Sequence, residues 1–259
     1  MGSVRFRLVT FNIAHGRGLT PLQGLTPRRR LQMNLVKIAA LLHKLKPDVV
    51  ALQEIDQCSC WAGNFDELEY LRRHARFPHA VFGINTRPEG VFNLAYGNAL
   101  LSRHPIVRSE NVVFGQKSVG EKGFLFAEIN VGGRTIPLVN LHLHYRSRNL
   151  RLKQLDRLVP WLHQHHRAHG VRWRMPPLVC GDFNTPSHAG DATAVLLRHM
   201  HDFANYVMHP QVDGTFPSPW PQRTLDFVFL PPACDHVQCE VVDTMLSDHR
   251  PVMVDFTLH

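Results

Sequence analysis

The segment PLVCGDFN, residues 177–184, is the stretch from which the fold of this chain is best read. An apolar run, typical of a buried strand, leads into Gly-Asp-Phe-Asn, so the strand ends by presenting the carboxylate of Asp182 and the carboxamide of Asn184. Rigid scaffolds expose reactive groups at strand ends and in the loops that follow, and Gly181 allows close approach to the backbone. An ordinary turn after a strand gives the same pattern, so this segment alone leaves both interpretations open.

Further polar groups lie at the ends of other predicted strands. They are Asn12 in the strand predicted for residues 5–13, Glu54 at the end of 48–54, His142 in 135–143, Asp226 in 225–230, and Asp248 with His249 before 252–256. Each has an ordinary explanation, because a single Asp is usually a turn former and a single His is usually a satisfied core residue. Their joint occurrence favours one site built from converging strand ends. The histidines at positions 144, 163, 165, 166 and 169 keep the ordinary interpretation.

The ordered set of motifs resembles a known superfamily. TFNI, ALQE, YGNALLSRHPI, NLHLH, GDFN, TLDFVF and SDHRPV are similar to the endonuclease/exonuclease/phosphatase superfamily, which includes DNase I-like nucleases, neutral sphingomyelinases and inositol polyphosphate phosphatases. Each motif is weak alone, but together they are specific and cover nearly the whole chain. The segment TFPSPWPQRTLDFVFL is also similar to a bacterial subgroup of metal-dependent hydrolases. The resemblance implies one domain over residues 1–259, folded as an α/β four-layer sandwich of two packed, mostly antiparallel, β-sheets flanked by helices.

The activity that the resemblance implies is hydrolysis of a phosphoester, specifically a phosphodiester. Such an ester is anionic, so the site must neutralise charge, orient a water molecule and stabilise the leaving oxygen. Mg²⁺ suits the first task, because a few carboxylate oxygens, waters and the substrate phosphate complete its shell, and we expect Mn²⁺ to substitute. Glu54 is the principal predicted ligand. The resemblance implies that Asn12 lies beside it and that Asp248 contributes at the other side of the metal.

The resemblance also assigns the reacting groups. Asp182 would orient or deprotonate the attacking water, and Asn184 would donate hydrogen bonds to the phosphoryl oxygens. Asp226 would hold His249 in one tautomer and favour its protonated form, which can stabilise negative charge on the phosphoryl group. His142 is similar to the family position that contacts the same phosphate. The sequence leaves open which of these groups protonates the leaving oxygen.

Four other side chains have weaker assignments. Asn98 lies in a segment that the family places beside the cleft, so contact with substrate and a purely structural role are both open. Lys122 could reach a substrate phosphate, but we favour a solvated surface lysine. Arg151 and Gln154 match a family spacing and are expected to brace the fold.

Composition limits the class of protein. The chain of 259 residues is 44% hydrophobic, enough for a large core without stabilising disulfides. Its five cysteines are expected to be reduced thiols, and Cys58 and Cys60 lack a second pair at zinc-site spacing. We find no signal peptide and no apolar run of membrane-spanning length, which predicts a soluble, cytoplasmic protein, with a monomer favoured. The net charge of +8 favours polyanionic partners, either nucleic acid or an anionic lipid surface.

Three functional hypotheses follow from the sequence. A DNA or RNA nuclease is favoured by the charge. A phosphoesterase acting on a lipid head group or a small phosphate ester is favoured slightly by NLHLHYRS, which is similar to the corresponding segment of neutral sphingomyelinases. A non-catalytic binding module is the weakest of the three, because every expected carboxylate, amide and histidine is present.

Overall fold

The computed structural model describes residues 3–87, 93–116, 119–185 and 190–258, which contain twelve strands and four α-helices. The strands are β1 (Val4–Asn12), β2 (Val49–Asp56), β3 (His79–Thr86), β4 (Tyr96–Ser102), β5 (Ile106–Val113), β6 (Gly123–Val131), β7 (Arg134–His142), β8 (Leu178–Asp182), β9 (Val207–His209), β10 (Asp226–Leu230), β11 (Cys234–Val241) and β12 (Val252–Leu258). The helices are α1 (Arg28–Leu45), α2 (Glu67–Ala75), α3 (Arg148–Trp173) and α4 (Ala192–Met200).

The strands form two six-stranded sheets. Sheet 1 has the order β11-β12-β1-β2-β4-β3, and sheet 2 has the order β5-β6-β7-β8-β10-β9. The β1–β2 and β7–β8 pairs are parallel, and the other neighbouring strands in the described residues pair antiparallel. The predicted architecture of two mostly antiparallel sheets is therefore confirmed.

Three hydrophobic cores hold four layers together. The central core joins the two sheets, while α1 and α2 cover the outer face of sheet 1 and α3 and α4 cover the outer face of sheet 2. The helical spacing of the sequence predicts one apolar stripe over residues 28–44, and the structure confirms it as core, since Leu31, Leu35, Ile38 and Leu42 are buried against sheet 1. This burial supplies the main stabilisation of the helix, because apolar area removed from water is the dominant favourable term in folding.

The main departure from the predicted elements is the length of α3. The sequence predicts a helix over residues 149–166, but α3 continues to Trp173 and passes through Gly170. Trp173 is buried in the core beneath sheet 2 and its Nε1 donates a hydrogen bond to Glu128 Oε1 at 3.0 Å. Tertiary packing at this residue therefore outweighs the helix cost of a glycine.

Alternation along the strands decides which residues reach the space between the sheets. On β1, Phe6 and Leu8 belong to the central core while Val9 and Phe11 face α1, so Asn12 continues the central face. On β8, Leu178 and Cys180 belong to the central core, and Asp182 continues that face. Since side chains alternate with a period of two, polar residues at these strand ends project between the two sheets.

Candidate active site

The predicted site residues of sheet 2 are neighbours in strand register. His142 on β7 pairs with Asp182 on β8, and Asp182 pairs with Asp226 on β10. Sheet 1 reaches the same place through Asn12, whose Nδ2 donates a hydrogen bond to Asp182 Oδ2 at 2.9 Å. Asn12 and Asp226 lie 214 positions apart in the sequence, and the structure brings both into a single site between the sheets.

Asp182 is almost wholly buried, with 1% of the residue exposed. Its Oδ1 accepts a hydrogen bond from the Asn184 backbone N–H at 2.9 Å, and Asn12 occupies Oδ2. Burial raises the pKa of Asp182 to about 7, with the nearby charge of His249 opposing the rise and that of Asp226 adding to it. A carboxylate with a pKa near neutrality is suited to accept a proton from water.

His249 and Asp226 form a buried pair beside Asp182. His249 Nδ1 lies 2.8 Å from Asp226 Oδ2, and the same oxygen accepts a hydrogen bond from Thr215 Oγ1 at 2.7 Å. Burial of the ring disfavours its charged form, but Asp226 and Asp182 outweigh that cost and raise the pKa of His249 to about 10. The ring is therefore a cation at neutral pH, and its Nε2 lies 3.8 Å from Asp182 Oδ2.

Asn184 and His142 line the side of the cleft next to Asp182. The backbone of Asn184 turns into the left-handed region, with φ of 50°, and its Nδ2 donates to the Leu143 carbonyl at 3.0 Å. The same amide nitrogen lies 3.1 Å from His142 Nε2, which is 3.4 Å from Asp182 Oδ2. Burial, helped by the charge of Lys122, lowers the pKa of His142, so this ring is neutral.

Glu54 reaches the site because of a β-bulge. Val49, Ala51 and Gln53 alternate toward the central face of β2, so position 54 would face the helices in a regular strand. The register with β4 instead shifts between Gln53 and Ile55, and Glu54 has a φ of 51°. Bulges of this kind redirect a side chain, and here the extra residue turns its carboxylate into the cleft while Ile55 packs against the helices.

The environment of Glu54 keeps its carboxylate ionised. Burial opposes the charge, but Lys122 and His15 outweigh it and hold the pKa of Glu54 well below its usual range. Lys122 Nζ lies 3.4 Å from Oε1, and His15 Nε2 lies 3.5 Å from Oε2. Both contacts are longer than good hydrogen bonds, and 22% of the side chain is exposed. The carboxylate thus has lone pairs that a dissolved cation can reach.

The other two predicted metal ligands are engaged by protein groups. Asn12 Oδ1 accepts a hydrogen bond from the Ala14 N–H at 3.0 Å, and its Nδ2 is bound to Asp182. Asp248 Oδ2 is paired with Arg17 Nη2 at 2.8 Å. Both therefore stay predictions as ligands.

A second group of potential ligands lies next to these residues. Asp182, Asp226 and His249 bring three potential ligand atoms within 4.8 Å of one another. A cation there would displace the proton shared by His249 and Asp226, whereas Glu54 offers an ionised carboxylate oxygen, the kind of ligand that a hard cation prefers.

The prediction that Lys122 is a solvated surface lysine is wrong. The residue is 8% exposed, and its Nζ lies 3.3 Å from His142 Nδ1 as well as near Glu54. Lys122 immediately precedes β6, where Gly123 is the register partner of His142. This register places the lysine beside Glu54, whose charge explains the burial, because a lysine is rarely buried without an opposite charge. The placement could be predicted only by aligning β6 with β7.

His15 and Asp56 are further members of the site that the sequence motifs do not reveal. His15 Nδ1 lies 2.6 Å from Asp56 Oδ2, and Trp61 Nε1 donates to Asp56 Oδ1 at 2.8 Å. The ring also packs edge-on against Trp61 and Tyr96. In the sequence, His15 lies three residues after Asn12 and Asp56 lies two residues after Glu54. Neither spacing is specific enough to predict a site residue.

A layer of buried amides supports the floor of the site. Gln53 Nε2 donates to Thr10 Oγ1 at 3.0 Å and to Asn140 Oδ1 at 2.7 Å, which ties sheet 1 to sheet 2. Asn98 is fully buried and its Nδ2 donates to the carbonyls of Gly123 and Asn140. These contacts favour the structural role for Asn98 over contact with substrate. The amide layer separates the apolar central core from the charged cleft.

Arg151 and Gln154 brace the fold as expected. Arg151 forms a buried ion pair with Asp191, with Nη2 and Oδ2 2.6 Å apart, and donates to the His144 carbonyl. Gln154 Oε1 accepts from the His144 N–H at 2.9 Å. Together they fix the turn between β7 and α3, directly after His142.

Comparisons with known proteins agree with this architecture. A model of the Endonuclease/Exonuclease/phosphatase family matches residues 9–249. The uncharacterized protein YbhP of Escherichia coli strain K12 is 27% identical over 176 residues, which cover 66% of this chain and 65% of YbhP. The chain therefore spans slightly less than two thirds of that relative.

Two solved structures illustrate the likeness of fold. An endonuclease/exonuclease/phosphatase from Beutenbergia cavernae superposes with a TM-score of 0.73 at 21% identity, over 98% of this chain and 72% of that one. The mannosyl-6-phosphatase Bt3783 of Bacteroides thetaiotaomicron superposes with a TM-score of 0.71 at 15% identity, over 97% and 99% of the two chains. At identities this low, the superpositions establish the shared fold alone.

Proposed function

Because the chain belongs to the endonuclease/exonuclease/phosphatase family, whose members hydrolyse phosphoesters, we propose that it is a Mg²⁺-dependent phosphodiesterase. The observation that carries the proposal is the joint placement of Asp182, the His249–Asp226 pair and the ionised Glu54 around one cleft. Such a set of groups can activate water and stabilise a phosphoryl group together.

Activation of the attacking water is assigned to Asp182. With its pKa raised to about 7 by burial, this carboxylate can take a proton from water near neutral pH. Asn12 and the Asn184 N–H hold its two oxygens in place. A cation bound at Glu54 would supply positive charge to polarise the phosphoryl oxygens and to lower the pKa of water.

Three hydrogen-bond donors are assigned to stabilise the negative charge that develops on the phosphoryl oxygens. His249 is protonated and presents Nε2 toward Asp182, where the substrate phosphorus must come within reach of the water. Lys122 adds a second buried cation, and Asn184 adds its side-chain amide on the other side of the His142 ring. Preorganised donors in a buried site stabilise such charge more strongly than water does.

Hydrolysis of bis-p-nitrophenyl phosphate tests the reaction class. We expect release of p-nitrophenol in the presence of Mg²⁺ or Mn²⁺, loss of activity on chelation, and a drop of about 1000-fold in Asp182→Ala. Asp202→Ala is the matched control, because that carboxylate is exposed and lies at the end of α4. Undiminished activity in Asp182→Ala, or equal losses in both variants, would reject the assignment.

The nuclease remains a second candidate because of the net charge of +8. A parallel assay with plasmid DNA, RNA and phospholipid vesicles separates the substrates. Cleavage of vesicle lipid with intact nucleic acid rejects the nuclease, and the reverse result rejects the lipid phosphoesterase.

A further inference from the structure

A surface outside the cleft combines exposed aliphatic side chains with a block of basic residues. We define this basic–apolar face as the loop of residues 17–27, the exposed side of α1 and Met245. Its large apolar side chains are exposed by 43% at Leu19, 60% at Leu22, 68% at Leu25, 54% at Met33, 40% at Val36 and 60% at Met245. Three of these side chains, Leu19, Met33 and Met245, line one groove, and apolar exposure of this extent marks a binding surface in soluble proteins.

The charge of this face has one sign. Residues 13–47 contain no Asp or Glu, and their seven Lys or Arg residues are Arg17, Arg28, Arg29, Arg30, Lys37, Lys44 and Lys46. Arg30, Met33 and Lys37 lie on the exposed side of α1 and line one groove together with Leu19 and Met245. The two acidic groups near Met245 are already paired, Asp243 with Arg250 and Asp248 with Arg17.

The face is held in a fixed position next to the cleft. Asn34 Nδ2 donates to the Gly16 carbonyl at 3.0 Å and to the Leu246 carbonyl at 2.9 Å, so α1 fastens both flanking segments. Arg17 borders the groove and binds Asp248, the neighbour of His249 in sequence. A partner bound on this face therefore lies beside the entrance to the site.

We propose that the basic–apolar face docks on an anionic lipid bilayer. Leu22 and Leu25 enter the interfacial region, while Arg30 and Lys37 contact lipid phosphates. Each basic residue near an anionic leaflet increases the affinity of the protein for the membrane about fivefold. Each aliphatic side chain that leaves water increases this affinity further. Nucleic acid would satisfy the charge, but its phosphate backbone offers no place for exposed leucines. Docking concerns binding alone; that the bound lipid is also the substrate rests on the proposed function.

Vesicle cosedimentation of the whole chain tests the proposal. The probes are vesicles of phosphatidylcholine alone and of equimolar phosphatidylcholine and phosphatidylserine. We expect binding to the second kind, weakened by about 25-fold in Arg30→Gln/Lys37→Gln and by about tenfold or more in Leu22→Ser/Leu25→Ser. The matched control is Arg167→Gln/Val171→Ser on α3, where Val171 is 96% exposed, and it should bind like the wild type.

The outcomes separate this proposal from the phosphodiesterase. Hydrolysis of soluble bis-p-nitrophenyl phosphate should be unchanged in both face variants, and His249→Ala should still bind vesicles. Absence of vesicle binding, or equal binding by the wild type and both face variants, overturns the docking proposal whatever the activity. Loss of duplex DNA binding in Arg30→Gln/Lys37→Gln, with no effect of Leu22→Ser/Leu25→Ser on vesicles, would assign the face to nucleic acid instead.

Discussion

Two buried histidine–aspartate pairs flank the cleft, and they differ in what the free ring nitrogen faces. In the first, His249 Nδ1 lies 2.8 Å from Asp226 and Nε2 lies 3.8 Å from Asp182. In the second, His15 Nδ1 lies 2.6 Å from Asp56 and Nε2 lies 3.5 Å from Glu54. In both, burial opposes the charged ring and the aspartate outweighs it, so the pKa of each histidine is raised.

The carboxylates that the two rings face have opposite properties. Asp182 is almost wholly buried and its pKa is raised to about 7, whereas Glu54 is partly exposed and stays ionised. We therefore propose different roles for the two pairs. The His249 side would take part in proton transfer and charge stabilisation, and the His15 side would orient Glu54, the carboxylate proposed to bind the cation.

The largest expected effect is loss of the His249 ring. His249→Ala should lower kcat/KM for bis-p-nitrophenyl phosphate by about 1000-fold, because a preorganised cation next to the reacting phosphate is removed. His15→Ala should cost only about tenfold, since its ring acts through Glu54. Steady-state kinetics of both variants measures the difference. Equal losses would contradict the division of roles, and circular dichroism controls for unfolding.

The second prediction replaces the aspartate of the first pair. Asp226→Asn should lower kcat about 100-fold near neutral pH, because the neutral amide no longer favours the imidazolium. In the wild type the protonated ring is lost only as pH rises through about 10. The alkaline limb of the pH–rate profile should therefore move to lower pH in the variant. A profile that falls in amplitude without moving would show that Asp226 acts only by orienting the ring.

The sequence predicts the first pair far better than the second. Asp182, Asp226 and His249 lie in short motifs at strand ends. Strand register carries Asp182 and Asp226 to one face of sheet 2, and His249 comes from the segment just before β12 of sheet 1. The second pair depends on backbone conformations that sequence patterns do not reveal. His15 adopts a φ of 54°, and Glu54 lies in a bulge with a φ of 51°.

Lys122 and the long α3 helix show the same limit. Both depend on partners distant in sequence, namely Glu54 and His142 for the lysine and Glu128 for Trp173 at the end of the helix. Local propensity predicts a solvated lysine and an earlier helix end. The four layers, in contrast, are implied by the resemblance of the ordered motifs to the superfamily.

The third prediction tests the orienting role of the second pair by metal binding. Asp56→Asn should weaken Mn²⁺ binding by about tenfold, because the ring beside Glu54 loses the carboxylate that holds it. Titration calorimetry measures this without substrate, and Asp226→Asn is the comparison variant. A larger loss of affinity in Asp226→Asn would place the cation at Asp182, Asp226 and His249 instead.

The smallest effect is expected for replacement of Glu67, which contacts Asp56. The two pairs differ in the group that lies next to the aspartate. Asp226 has the Thr215 hydroxyl beside it, whereas Asp56 has a second buried carboxyl, Glu67, whose Oε2 accepts the Asp56 N–H at 3.0 Å. Burial, with the charge of Asp56 adding to it, raises the pKa of Glu67 well above its usual range, which favours the protonated form of this group. An amide can replace a neutral acid, and Glu67→Gln should change the free energy of unfolding by less than about 1 kcal/mol at acidic pH.

The pH dependence gives the sign of that last effect. Unfolded glutamate ionises above about pH 4.3, so the wild type loses stability as pH rises from there toward the raised pKa of folded Glu67. Glu67→Gln lacks this loss, and chemical denaturation should therefore show the variant gaining on the wild type as pH increases. Asp202→Asn, at an exposed carboxylate, is the control. A variant less stable by several kcal/mol at every pH would mean that Glu67 is charged and paired, in which case the His15 side of the cleft would carry one more negative charge for a cation to balance.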